Sequence, residues 1–179
     1  MKKVMLLTIF AALMMISSAA VAQTTASGTL TVTATVTGSI NLVFNSDASG
    51  LALSSGAGTN AATLAFGNVS AFGALASPNI VRTTTATTFT VSSAVDVLVT
   101  KTNSASANYS LTAQLGSAPA GSSTWTVGGV AVTNTSAAPI TATGTYAANS
   151  NFPVAITVPF ATPSGTSLNN TINYVATAN

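Results

Sequence analysis

Between Gly28 and Phe44 the chain reads GTLTVTATVTGSINLVF, and its first half alternates without a break. Leu30, Val32, Ala34 and Val36 are apolar, and Thr29, Thr31, Thr33, Thr35 and Thr37 stand between them. A side-chain period of two puts the apolar groups on one face of an extended strand and the threonines on the other. Threonine and valine are β-branched, which adds a local preference for extended backbone. Gly38 interrupts the run, and the pattern resumes in the same even-numbered phase at Ile40, Leu42 and Phe44. The spacing predicts two strand segments sharing a face, with Gly38 as the hinge that bends or bulges between them.

Downstream, the same period recurs between turn signals. Thr63–Val69 is a candidate strand containing Gly67, and Ile80–Arg82 resumes extended character. Thr88–Ser92 and Val95–Lys101 are read as two successive strands, and Tyr109–Leu115 alternates cleanly. Trp125 and Val127 lead into Gly128-Gly129, a two-residue hairpin turn, and Val130 and Val132 return from it. Ile140–Tyr146, Val154–Val158 and Ile172–Ala178 supply three more strands. Turns recur every eight to twelve residues, and no apolar stripe of helical period runs through this part of the chain. Together these features predict an all-β sandwich built as one domain from 38 to 179.

The N-terminus reads as an address. Lys2 and Lys3 precede an apolar run from Val4 to Ile16, and Ala20-Val21-Ala22 offers a small-x-small cleavage site before Gln23. Residues 1–22 are therefore expected to be a secretory signal peptide, leaving 23–37 as an N-terminal segment ahead of the sandwich. No membrane insertion is expected after cleavage, and the product is expected outside the cell.

Charge changes the picture once the leader is set aside. The formal net charge of +2 over the whole chain comes from Lys2 and Lys3, because Arg82 and Lys101 balance Asp47 and Asp96. Nucleic acid is then a poor partner, since phosphate binding needs several basic side chains on one face. A neutral Ser/Thr/Asn surface also lacks the like-charge repulsion that keeps copies of a domain apart. With no cysteine, an exported chain of this kind relies on burial and backbone ladders rather than disulfides.

Candidate chemistry is sparse. The chain has no His and no Cys, so the commonest bases, thiol nucleophiles and transition-metal ligands are missing. Asp47, in SDASG, reads as a turn cap, and Asp96 as a solvent-facing or paired strand residue. Two carboxylates suffice for neither a calcium site nor a glycosidase cleft unless the fold joins them. No enzyme, cofactor or metal is expected. Trp125, Tyr109, Tyr146 and Tyr174 are either a sugar-stacking platform or core and strand-end packing.

The order of elements resembles a known family. A leader, a TLTVTATV strand at the mature N-terminus, an LAFGNV segment and a terminal NNTINYVATAN strand are similar to spore coat protein U-like subunits of the archaic chaperone–usher pilin class. The resemblance implies an immunoglobulin-like β-sandwich that is incomplete, with an N-terminal donor strand that fills a neighbour's groove. Donor residues would be Leu30, Val32, Ala34 and Val36, and the acceptor groove would be bordered by Ile172, Tyr174 and Ala176. It also implies a pilus-like homopolymer at the bacterial cell surface, with a periplasmic chaperone and an outer-membrane usher as partners. The chain departs from the family in lacking the paired cysteines many members carry. Two rival readings remain beside it. In one, Leu30–Val36 is the first strand of a complete monomeric sandwich; in the other, the domain is an adhesin or carbohydrate-binding surface module.

Overall fold

A computed structural model describes residues 27–179; the expected leader and the first residues of the N-terminal segment lie outside the described residues. The chain divides between Thr35 and Val36.

Alternation builds the body that runs from Val36 to Asn179. In β3, Thr88–Thr102, every odd residue from Phe89 to Val99 is buried and the even ones are half-buried on the opposite face. The sequence splits this run at Ser93-Ala94, whereas the structure keeps it continuous. The reason is local: Ser93 falls in the buried phase, yet its hydroxyl accepts the Leu51 N–H at 2.7 Å and donates to the Asn79 carbonyl at 3.3 Å. A buried polar group with both roles filled does not break a strand.

Around β3 forms a six-stranded antiparallel sheet. β1 (Ser39–Ser46) and β2 (Val81–Thr84) share one side of it, and β8 (Asn149–Pro159), β5 (Thr124–Val127) and β6 (Val130–Val132) follow on the other. A second sheet holds β7 (Ala138–Gly144), β4 (Tyr109–Leu115) and β9 (Ile172–Ala178), in that order. Side chains of both sheets meet in one apolar layer: Val91, Val127 and Ile156 from the first pack with Ala113 and Leu115 from the second. Val97 and Val99 likewise pack with Tyr109 and Leu111. This is an all-β sandwich, as the period-two pattern predicts. Gly128 and Gly129 have φ of 57° and 80°, the two positive values that a tight β5–β6 hairpin requires.

One expected strand is corrected. Thr63–Val69 forms no strand; Thr63 makes an isolated bridge to Ser55, and Gly67 takes φ 67°, which ends any extended run. Leu64, Phe66 and Val69 instead pack on the core from an irregular segment. The alternating Thr29–Thr37 run, expected as a strand, lies in no ladder: no strand is assigned between residues 27 and 38.

Candidate functional site: an open groove between β1 and β9

β9 is the edge of its sheet. It pairs with β4 in a single register, Ile172 opposite Leu115 and Ala178 opposite Tyr109, and among the described residues with no other strand. Just beyond its ends, Thr171 accepts the Gly116 N–H and Asn179 donates to Asn108. In an antiparallel ladder hydrogen-bonded pairs alternate, so the odd residues of β9 turn their N–H and C=O groups toward β4. The even residues, Ile172, Tyr174, Ala176 and Ala178, turn theirs toward the open edge. The side chains of Ile172, Tyr174 and Ala176 are half-buried on the inner face.

β1 forms the opposite wall. Its partner is β3, from Ser39 opposite Thr102 to Ser46 opposite Val95. The Phe44 N–H donates to Thr59 at 2.9 Å, and its carbonyl accepts from Gly58 at 2.7 Å, on the side away from β3. By the same alternation the backbone groups of Ile40 and Leu42 face the opening, and the 58–59 loop closes that edge at Phe44. Ile40, Leu42 and Phe44 are half-buried and line the groove.

The two walls run antiparallel to each other. At one level the Phe44 and Tyr174 rings meet edge-on, centroids 5.1 Å apart. A cavity of about 810 Å³ runs along β1 from Ile40 to Phe44 and reaches Ile172 and Tyr174 of β9, floored by Val95 and Val154 and flanked by residues 60–64. On the Ala178 side is a smaller one of about 380 Å³, lined by Gly38, Ser39 and Ile40 against Ala176 and Ala178. The Tyr174 hydroxyl is buried and has no hydrogen-bond partner among the described residues. Burial alone pushes its ionisation above the ordinary tyrosine value.

Of the residues singled out in the sequence, Ile172, Tyr174 and Ala176 do share the inner face of an edge strand. Leu30, Val32 and Val36 are 86%, 80% and 77% exposed, and Ala34 is exposed too. Gly38 shows its constraint in close approach rather than in φ: a Cβ there would sit 2.7 Å from the Asn103 carbonyl oxygen. Sequence reasoning placed Ile40, Leu42 and Phe44 on one face without assigning them to a groove, and it missed the 58–64 loop altogether. The continued even-numbered phase across Gly38 was the available signal.

The other candidates have local partners. Trp125 is buried, with its indole N–H donating to Ser123 Oγ at 3.3 Å, and Tyr109 is fully buried, so neither offers a face to a sugar ring. Tyr146 donates to the Asn108 carbonyl and lies under the Lys101 ammonium, 5.0 Å from its ring centroid. Asp47 is the expected turn cap: it accepts the Ser49 hydroxyl and N–H, which lower its pKa, with smaller help from Asn151. Asp96 accepts from Asn149 and Asn151 at 3.2 and 3.1 Å. No group of three or more His, Cys, Asp or Glu forms among the described residues. No described helix is long and apolar enough to cross a membrane. No family model, curated protein or solved structure matches the chain.

Proposed function

We propose that this protein is the structural subunit of an extracellular, pilus-like fibre, and that it polymerises by donating the strand Leu30–Val36 to the β1/β9 groove of a neighbour. One observation carries the reading. The body has a groove lined by Ile40, Leu42, Phe44, Ile172 and Tyr174 among Asn and Thr side chains, with open backbone along β9 and at Ile40 and Leu42 of β1, and the segment leading into β1 is an exposed alternating strand former with no ladder of its own. Each has what the other lacks. An incoming strand pairs the open backbone groups of Ile172, Tyr174 and Ala176 and buries its apolar face between the sheets, which is β-augmentation. The lengths agree: Leu30–Val36 spans seven positions and β9 has seven residues, about 23 Å of strand.

Polymer geometry orients the donor. Ser39, where β1 begins, lies beside Ala178, since both line the smaller cavity. A donor antiparallel to β9 sets its Val36 end at Ile172, at the far end of the acceptor from the acceptor's own Ser39. Each body then receives at one end and gives at the other, and the contact is heterologous and does not close. The opposite orientation crowds both connections at one end.

Burying the four donor side chains contributes roughly 4–8 kcal/mol, from about 1.5–3 for each large one and less for Ala34. The completed body is an immunoglobulin-like sandwich in this reading. The leader supports export, and the resemblance adds a periplasmic chaperone and an outer-membrane usher as partners. The test is size-exclusion chromatography, negative-stain microscopy and limited proteolysis of secreted material. Filaments in which 24–37 resists protease support the proposal. A monodisperse monomer with that segment protected means the strand is kept at home and ends it.

A further inference from the structure

We infer, resting on the strand-donation reading, that the donor's register is set by Ala34 seating against Tyr174. A repetitive donor needs such a device. Because its side-chain period is two, a slip by two residues keeps every apolar group facing inward and is not forbidden by the pattern alone. Two features of this chain forbid it.

The first is size. Along the inner face, β9 presents Ile172, Tyr174, Ala176 and Ala178. At the Tyr174 level the groove is crossed by the Phe44–Tyr174 ring contact. The larger cavity spans that level, and the smaller lies toward Ala178. The donor, antiparallel and unslipped, sets Val36 by Ile172, Ala34 by Tyr174, Val32 by Ala176 and Leu30 by Ala178. Its smallest residue meets the largest of the groove, and Val32 and Leu30 meet the two alanines. Directly opposed side chains lie about 5 Å apart, so these pairs compete for the same volume. A two-residue slip in either direction sets a valine on Tyr174. The parallel orientation also fails, putting Val32 on Tyr174 and Ala34 against Ala176.

The second is the pair of flanking glycines. Gly28 and Gly38 occupy the same even-numbered phase, immediately outside Leu30 and Val36. Slipping one way brings Gly28 to Ala178, and slipping the other brings Gly38 to Ile172. Each slip removes one apolar side chain from the groove while adding a clash at Tyr174. Register and orientation are therefore specified by the same seven residues.

The full-length chain carries the test. Ala34→Leu is expected to cut fibre yield by about tenfold or more, because overpacking at that one level opposes insertion. Thr33→Leu, on the outward face of the same segment, is expected to assemble as wild type does. Ala34 is exposed in the free subunit, so the melting temperature of dissociated Ala34→Leu should not move. Since the chain has no cysteine, a Val32→Cys, Ala176→Cys variant should give covalent ladders between subunits with a short thiol cross-linker. The slipped-register pair Leu30→Cys, Ala176→Cys, which keeps Tyr174, should not. Wild-type fibres together with normal assembly of Ala34→Leu, or ladders from the slipped pair instead, overturn the register and leave strand donation standing. Absence of wild-type fibres overturns both.

Discussion

Val32→Asp separates a donated strand from one retained in its own domain. Val32 is 80% exposed in the subunit. Substitution there should change the stability of the dissociated subunit by no more than about 0.5 kcal/mol, as for other exposed positions. In the fibre the same residue would face Ala176 over the smaller cavity. Losing the valine forfeits about 1.5 kcal/mol of burial, and an unpaired carboxylate in an apolar groove costs about 2 kcal/mol or more. At about 1.4 kcal/mol per factor of ten, assembly weakens by two orders of magnitude or more. The assay compares filament yield by sedimentation and microscopy with thermal melts of the dissociated subunit. Val97→Asp, at a fully buried β3 position, is the matched control that should abolish folding itself. Protonation of the new carboxyl should restore part of the assembly in acid, because the neutral form is far cheaper to bury. If Val32→Asp lowers the subunit's own stability by several kcal/mol, the segment belongs to its own sandwich and the reasoning is refuted. Undiminished filament yield refutes it as well.

Three further outcomes follow from the body of the sandwich. Tyr174→Phe removes a buried hydroxyl that has no partner among the described residues, so urea denaturation should show unchanged or higher stability, by up to about 1 kcal/mol. Because burial raises the folded-state pKa of Tyr174 above 10.0, its contribution is complete below pH 10.0 and declines as pH rises beyond it. Wild type should therefore lose more stability in alkali than Tyr174→Phe; equal losses would contradict the burial argument. In acid the sign reverses. Ser49 lowers the folded pKa of Asp47 below 3.8, so that contribution is present above 3.8 and lost as pH falls through the lower folded value. Melting temperature should stay flat from neutral into mildly acidic buffer, and a steep fall there would be incompatible with so few titratable groups. Gly144→Ala drives a Cβ to 2.2 Å from Tyr109 Cζ, in a ring with no exposure. It should cost about 1–3 kcal/mol or more in urea, whereas Gly28→Ala, with nothing within 4 Å, should leave the body unchanged.

Period-two alternation made most of the ladder legible from residue types alone. Tyr109–Leu115 and Ile172–Ala178 carry the bounds the pattern predicts, and the Gly-Gly hairpin lies where two positive φ values are needed. Alternation reports which face of a strand is apolar, and that is a local property. It failed at Ser93, where two distant backbone partners satisfy a buried hydroxyl and β3 runs on. It failed again at Thr63–Val69, where apolar side chains pack on the core from irregular backbone.

The candidate site exposes the same divide. Inward-facing Ile172, Tyr174 and Ala176 were readable from the sequence, as was the even-numbered phase shared by Leu30–Val36 and Ile40–Phe44. Nothing local distinguishes Leu30–Val36 from a strand of the body, because its alternation is as regular as that of β3. Only tertiary structure set β1 and β9, from opposite ends of the chain, as the two walls of one groove and brought Phe44 onto Tyr174. Propensity and pattern make a segment competent to pair; which edge is free to receive it depends on where long-range ladders end, and no stretch of sequence contains that.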